Sequence, residues 1–252
     1  YFAALDASCE LAKAKGAHPA FPETRAAEGV LQFDLWNIVP EDTERWDALR
    51  EKIKENGLRN SLMIAIAPTA TIAAIAGSYE CIEPQVSNLF KRETLSGDFI
   101  QINKYLVKEL KKIDLWTDGV RNKIKLSEGS IQEIEEIPAD IRDIYRTAWE
   151  VPMRVLIDMA ADRGAFIDQS GSLNLFMESP SIGKLSSMYM HTWKKGLKTT
   201  YYLRSRPATK INQVTADYKV SELVPAEPKK VYTDEEALIC SLENPDACEA
   251  CQ

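Results

Sequence analysis

The chain has 252 residues, 45% of them hydrophobic and 27% charged, with a formal net charge of −7. This composition excludes a disordered chain and is enough to bury a sizeable core in one large domain or part of one. Net acidity with scattered lysines and arginines argues against nucleic acid or a membrane as the main partner, and no apolar run is long enough to span a bilayer.

Residues 1–16 place Tyr1, Leu5, Cys9 and Ala12 on one helical face and stop at Gly16, read as a left-handed cap. The chain opens inside this helical pattern without an initiating Met or a signal peptide, so it reads as the carboxyl-terminal part of something longer. After a Pro- and Gly-rich loop and the apolar run Val30–Trp36, Asp42 or Thr43 caps a second helix. Its Trp46, Leu49 and Ile53 fall at helical spacing, and Gly57 ends it. Leu62–Ala67 is a continuous apolar run bounded by turn residues, the pattern of a strand buried on both faces. Pro68-Thr69-Ala70-Thr71 breaks it, and an alanine-rich stretch winds one or two helical turns before Gly77.

Phe99–Lys112 reads as a helix followed by a charged linker. Pro138 opens a long helix to Arg163 with Ile141, Ile144, Tyr145, Ala148, Met159 and Ala160 facing inward, ended by Gly164. Ser181 caps a further helix with Leu185, Met188, Tyr189, Thr192 and Trp193 along one face and Gly196 past its end. Lys198–Leu203 carries the strand-favouring Thr199, Thr200, Tyr201 and Tyr202. From Pro207 onward the sequence is charged and aperiodic, and a mobile tail is expected. Strands alternating with helices make the fold class α/β.

Three features carry chemistry. The strand, hydroxyl-rich turn and helix start at residues 62–76 gather unpaired backbone N–H groups and Thr hydroxyls, a setting that suits a phosphate. Thr69 and Thr71 serve equally well as plain helix caps. Tyr201 and Tyr202 are adjacent phenols; in a strand they point to opposite faces, so stacking them needs a local twist or a strand end. Neighbouring phenols can pass a radical by losing an electron and a proton together, and packing accounts for the same pair. Cys248 and Cys251 form a Cys-x-x-Cys pair one residue from the end, able to close a disulfide, hold a metal or exchange electrons with another dithiol. The remaining cysteines, Cys9, Cys81 and Cys240, bring the count to five, irregularly spaced, which argues for a reducing, cytoplasmic setting.

Separated runs then agree in order along the chain: Cys9-Glu10-Leu11-Ala12-Lys13, Gly29–Asp34, Arg59-Asn60-Ser61-Leu62, Pro68-Thr69-Ala70-Thr71, Ile82-Glu83-Pro84, Leu95-Ser96-Gly97, Gly164–Ser170, Gly196-Leu197-Lys198-Thr199, the tyrosine pair, and Cys240–Asn244. Together they resemble the carboxyl-terminal region of the large subunit of class I ribonucleotide reductase, over nearly the whole chain. The resemblance implies the closing part of a ten-stranded α/β barrel with helical insertions over residues 1–207, and a flexible tail over 208–252. It implies that Thr69, Ala70, Thr71 and Ile72 hold the phosphates of a ribonucleoside diphosphate. Eukaryotic-type members usually carry a hydroxyl residue where this chain has Ile72, so side-chain bonding is lost there and the backbone N–H remains.

The same likeness makes Tyr201 and Tyr202 the stacked pair that relays an oxidising equivalent from a di-metal, tyrosyl-bearing small subunit to an active-site cysteine. Cys248 and Cys251 become the tail dithiol that re-reduces a barrel cysteine pair and hands the disulfide to thioredoxin or glutaredoxin. The helix carrying Met188, Tyr189 and Trp193 helps form the groove for the small subunit's terminal peptide, although its apolar stripe reads equally as core. The radical cysteine, its reducing partners, the proton-handling Asn and Glu and the nucleotide effector sites are expected in sequence preceding Tyr1. This stretch alone is therefore expected to bind no cofactor or metal and to be inactive. The large subunit is expected to be a homodimer, and Cys9 and Cys81 read as packed thiols.

Two rival readings remain. A cobalamin-dependent class II reductase shares the barrel, the phosphate turn and a tail cysteine pair, but has no use for a tyrosine relay. A non-catalytic module could bind zinc through the tail pair, yet a structural site needs four ligands, and His18, His191 and Cys240 supply it poorly.

Overall fold

The computed structural model describes residues 1–94 and 97–206; the expected tail, with Cys240, Cys248 and Cys251, lies outside the described residues. Helix α1 (Phe2–Lys15) buries Leu5, Ser8, Cys9 and Ala12, the face that its spacing predicts, against α2 (Thr43–Asn56), which buries Trp46, Leu49 and Ile53. Phe21, Leu31, Phe33 and Leu58 complete this first apolar cluster, in which Trp46 meets Phe33 at 4.7 Å and Phe2 at 5.0 Å, both edge-on. The caps differ in detail from expectation. Gly16 takes φ +80 but an extended ψ of 150, and Asp42 precedes α2 in the left-handed region without a side-chain bond. Val30–Trp36 closes into a short 3₁₀ turn, Gln32–Trp36, whose Asp34 carboxylate accepts from Leu31 N–H and from both terminal nitrogens of Arg50. Hydrogen bonding to Arg50 holds the Asp34 carboxyl below its ordinary value.

The middle of the chain overturns two expectations. Phe99–Lys112 is not one helix: β1 (Leu89–Thr94) and β2 (Gly97–Ile102) form an antiparallel hairpin, and α4 (Lys104–Lys112) starts only after Asn103. Asn103 decides that boundary, because its carboxamide oxygen accepts from Tyr105 and Leu106 N–H and caps the helix. The charged stretch that follows holds α5 (Asp118–Leu126), capped by Thr117. The long helix from Pro138 is also broken, into α6 (Ala139–Ile144) and α7 (Met153–Gly164). Pro152 sits just before α7, where its missing N–H and restricted neighbours stop the earlier helix from running through. Of its predicted inner positions, Ile141, Tyr145 and Ala148 are buried while Ile144 and Met159 are exposed.

Buried Asn88 joins these pieces. Its Nδ2 donates to the carbonyls of Gly129 (3.1 Å) and Tyr145 (2.8 Å), and its Oδ1 accepts from Asn103 Nδ2 (2.9 Å). Gly129 is required beside it: at φ +89, an added Cβ would lie 2.7 Å from Leu89 N and 2.9 Å from Asn88 N.

The last third packs α7 against α8 (Ile182–Lys194), with Ser181 capping α8 as its position predicts, by accepting from Lys184 N–H. Ala148, Leu156, Ile157, Leu175 and Met188 form its apolar core, and Asp158 of α7 meets buried His191 of α8 at 3.0 Å.

The expected strand at Leu62–Ala67 is not buried on both faces. It is extended chain with one parallel bridge, Ile66 opposite Gly171, and Leu62 is half exposed, because only one edge is paired among the described residues. The expected strand at Lys198–Leu203 shrinks to β4 (Leu203–Arg204), parallel to β3 (Leu175–Phe176). Residues 169–177 thus lie between two parallel neighbours. Ser170 and Ser172 bond to Ile66, whereas Leu173, Leu175 and Met177 bond to residues 201–204, so successive residues serve opposite edges.

Replacing Asn88 by Ala removes three hydrogen bonds and is expected to destabilise the intact protein by about 3 kcal/mol, taking about 1 kcal/mol per lost bond. A denaturant midpoint indistinguishable from wild type would show that the knot carries no stability.

Candidate functional site

The turn at Pro68-Thr69-Ala70-Thr71 follows the extended 62–67 segment directly and runs into α3 (Ala70–Ala76). Thr69 takes φ 56, and its side chain does not cap α3. Instead its Oγ1 accepts from Cys81 N–H at 3.1 Å, which ties the chain after α3 back to the turn. The first backbone bond of α3 runs from Ala73 N–H to Thr69 O, so the N–H groups of Ala70, Thr71 and Ile72 have no acceptor within the helix. All four residues from Thr69 to Ile72 are exposed, as an anion site requires.

Two long-range contacts hold this turn. The Asp168 carboxylate accepts from Met63 and Ile64 N–H, each at 2.7 Å, at the start of the segment that ends in the turn. Lys198 Nζ donates to the consecutive carbonyls of Ile167 (2.9 Å), Asp168 (3.1 Å) and Gln169 (2.9 Å). Burial pushes the Lys198 ammonium down from its ordinary value, and the nearby Asp168 charge opposes that effect. With its amide oxygen turned inward, Gln32 accepts from Trp36 Nε1 at 2.9 Å and lies 3.1 Å from Lys198 Nζ. The Trp36 ring fills the space over Gly164, where a Cβ would come within 2.5 Å of it. The sequence shows no role for Asp168 or Lys198, since their contacts span about a hundred and about thirty residues.

Tyr201 and Tyr202 lie immediately before β4, with ring centroids 4.1 Å apart and planes inclined by 54°. That is the strand-end position at which adjacent side chains escape strict alternation. Tyr201 N–H donates to Leu173 O at 2.8 Å and Tyr202 O accepts from Leu175 N–H at 2.9 Å, so the backbone beneath both rings is fixed. The neighbouring Tyr202 hydroxyl pushes the Tyr201 phenol above its ordinary value; desolvation adds to this and the Arg204 charge opposes it. Both rings are about half exposed.

Register relates the two features. Ile66 is level with Gly171 and Leu203 with Leu175, so the segment leading to the turn and the strand that follows the tyrosines lie on opposite edges of the central segment. Asn174 itself is fixed by Glu83, whose carboxylate accepts from its N–H (2.7 Å) and Nδ2 (2.9 Å). Glu83 is a third residue whose role the sequence did not disclose.

The predicted face of α8 divides. Met188 is fully buried and belongs to the core, so it offers no surface to a partner. Tyr189 and Trp193 stand outward, Trp193 at 71% exposure, one helical turn apart. Cys9 is buried and Cys81 partly so; burial is the main reason both thiols are pushed up. Among the described residues no group of three His, Cys, Asp or Glu is placed to hold a metal, and no helix is long and apolar enough to cross a membrane.

Comparison with known proteins gives the family. Residues 1–203 match the family model described as ribonucleotide reductase, barrel domain. The chain is 43% identical to the ribonucleoside-diphosphate reductase large chain of Schizosaccharomyces pombe and 45% identical to the large subunit from Arabidopsis thaliana, in each case over 100% of its length. It spans 34% and 32% of those relatives, about a third of their length. The Actinobacillus ureae class Id ribonucleotide reductase alpha subunit superposes with a TM-score of 0.57 at 27% identity, covering 80% of this chain and 31% of that one. An α/β arrangement of parallel segments backed by helices accords with that barrel, although the described residues do not close one. The chain therefore belongs to the ribonucleotide reductase barrel-domain family.

Proposed function

We propose that this chain is part of a ribonucleoside-diphosphate reductase large subunit, which reduces ribonucleoside diphosphates to 2′-deoxyribonucleoside diphosphates by radical chemistry. The observation that carries the proposal is the tyrosine pair, centroids 4.1 Å apart, along one edge of the central segment whose other edge pairs with the chain leading to an exposed turn with no intrahelical acceptor for its N–H groups. The turn from Thr69 to Ile72 takes the diphosphate: the Ala70, Thr71 and Ile72 N–H groups and the Thr71 hydroxyl donate to its oxygens. Ile72 contributes only its backbone.

In the relay, an oxidised phenol has lost one electron and one proton. Its neighbour restores both and is left as the radical, so the oxidising equivalent moves without net charge. A phenol whose ionisation is made harder suits this, because Tyr201 stays protonated until electron and proton leave together. The radical then reaches a cysteine supplied by the rest of the barrel, and the thiyl group takes the 3′-hydrogen of the substrate. Tyr189 and Trp193 form part of the surface that receives the small subunit, the source of the radical. Cys248 and Cys251 deliver electrons to the barrel disulfide and are themselves re-reduced by thioredoxin or glutaredoxin. The large subunit acts as a homodimer in the cytoplasm, residues 1–207 forming barrel and 208–252 the tail.

The rival readings have less in their favour. The names of the relatives, large chain and large subunit, fit a two-subunit enzyme better than a cobalamin-dependent one. Family membership weighs against a non-catalytic zinc module.

Tyr202→Phe in the intact protein, assayed with its small subunit, should lower kcat about 100-fold or more, equivalent to about 3 kcal/mol in the barrier, with substrate affinity retained. Turnover near wild type would remove the relay role. In the same variant, loss of the neighbouring Tyr202 hydroxyl should bring Tyr201 ionisation down toward its ordinary value in an ultraviolet pH titration. An unchanged titration would show that the two phenols are not coupled.

A further inference from the structure

Lys198 and Asp168 are the strongest polar contacts at the site that the proposed relay and phosphate turn do not use. An ammonium has three donors, and Lys198 sets its Nζ against three consecutive carbonyls of the 167–169 turn. The middle residue of that turn is Asp168, whose carboxylate accepts from Met63 and Ile64 N–H. Charge-assisted bonds of this kind are shorter and stronger than neutral ones. One side of the turn is thus fastened three residues before Tyr201, the other five residues before Thr69. The space beneath it, a cavity of about 40 Å³ lined by Trp36, Ile66, Arg163, Gly171 and Lys198, is too small for a nucleotide.

We infer that Lys198 and Asp168 form a two-sided clamp that sets the Thr69–Ile72 turn against the Tyr201–Tyr202 pair, making both of them positioning residues for the site; this rests on the function proposed above. The clamp transmits in series. Lys198 fixes the 167–169 turn, and that turn, through Asp168, fixes the segment leading to the phosphate turn. Removing Lys198 loosens both ends, whereas removing the Asp168 charge loosens only the phosphate end.

The test uses Lys198→Met, Lys198→Arg and Asp168→Asn in the intact protein. Hydrogen exchange is read first, because it does not depend on activity. Lys198→Met should speed exchange in peptides covering residues 62–72 as well as those covering 167–172 and 200–204. A merely local role would confine the change to the latter two, and that result would overturn the clamp. Asp168→Asn, which keeps the side-chain shape, should speed exchange at Met63 and Ile64; unchanged exchange there overturns it as well.

Kinetics with the small subunit follow. Lys198→Met should raise KM for the ribonucleoside diphosphate and lower kcat, each about tenfold, since sub-ångström misplacement costs rate steeply. Asp168→Asn should raise KM with a smaller change in kcat, and Lys198→Arg should recover most of both losses. The KM of the double variant should match that of Lys198→Met alone, as residues acting in series are non-additive. Multiplying effects would contradict the clamp. Absence of turnover in the wild-type protein would instead count against the proposed function, leaving the exchange result to decide the clamp.

Discussion

A lysine reaching across to three consecutive carbonyls is the constraint on which the arrangement of this site depends. The 62–67 segment has one paired edge among the described residues, and β3 and β4 are two residues each, so the parallel ladder alone is too short to hold its register. Lys198 and Asp168 supply what the ladder lacks, by fastening the turn that enters the central segment to the chain on either side. Trp36 and Gln32 brace it from the α1–α2 half of the molecule, with the Trp36 ring over Gly164. A structural core and a chemical site thus meet at one side-chain cage.

Much of the frame was legible from residue patterns. The α1 and α2 faces, the short helix before Gly77 and the Ser181 cap follow from periodicity and punctuation, which act within one or two helical turns. The failures share a cause: local apolar content was read without the one residue that sets a boundary. Asn103 starts α4 and frees Phe99–Ile102 for a hairpin, and Pro152 divides what looked like one long helix. Leu62–Ala67 has the composition of a fully buried strand, but burial is a property of neighbours, and only one edge is paired among the described residues.

At the site itself, sequence pattern located the turn and the tyrosines because each is a contiguous cluster of chemically special residues. It located no role for Asp168, Lys198 or Glu83, because each acts on a partner far away in sequence, and nothing in a single chain records that distance. Met188 shows the converse error. Helical spacing put it with Tyr189 and Trp193, yet a 100° step per residue is enough to separate a core position from two exposed ones.

The central claim is that the Thr69–Ile72 turn receives a diphosphate across the central segment from the tyrosine pair. The structure of the intact protein with a bound ribonucleoside diphosphate tests this most directly. The account predicts phosphate oxygens about 2.7–3.2 Å from the N–H groups of Ala70, Thr71 and Ile72, with the ribose turned toward the Tyr201–Tyr202 side. A diphosphate bound elsewhere, with those N–H groups left to solvent, would contradict it.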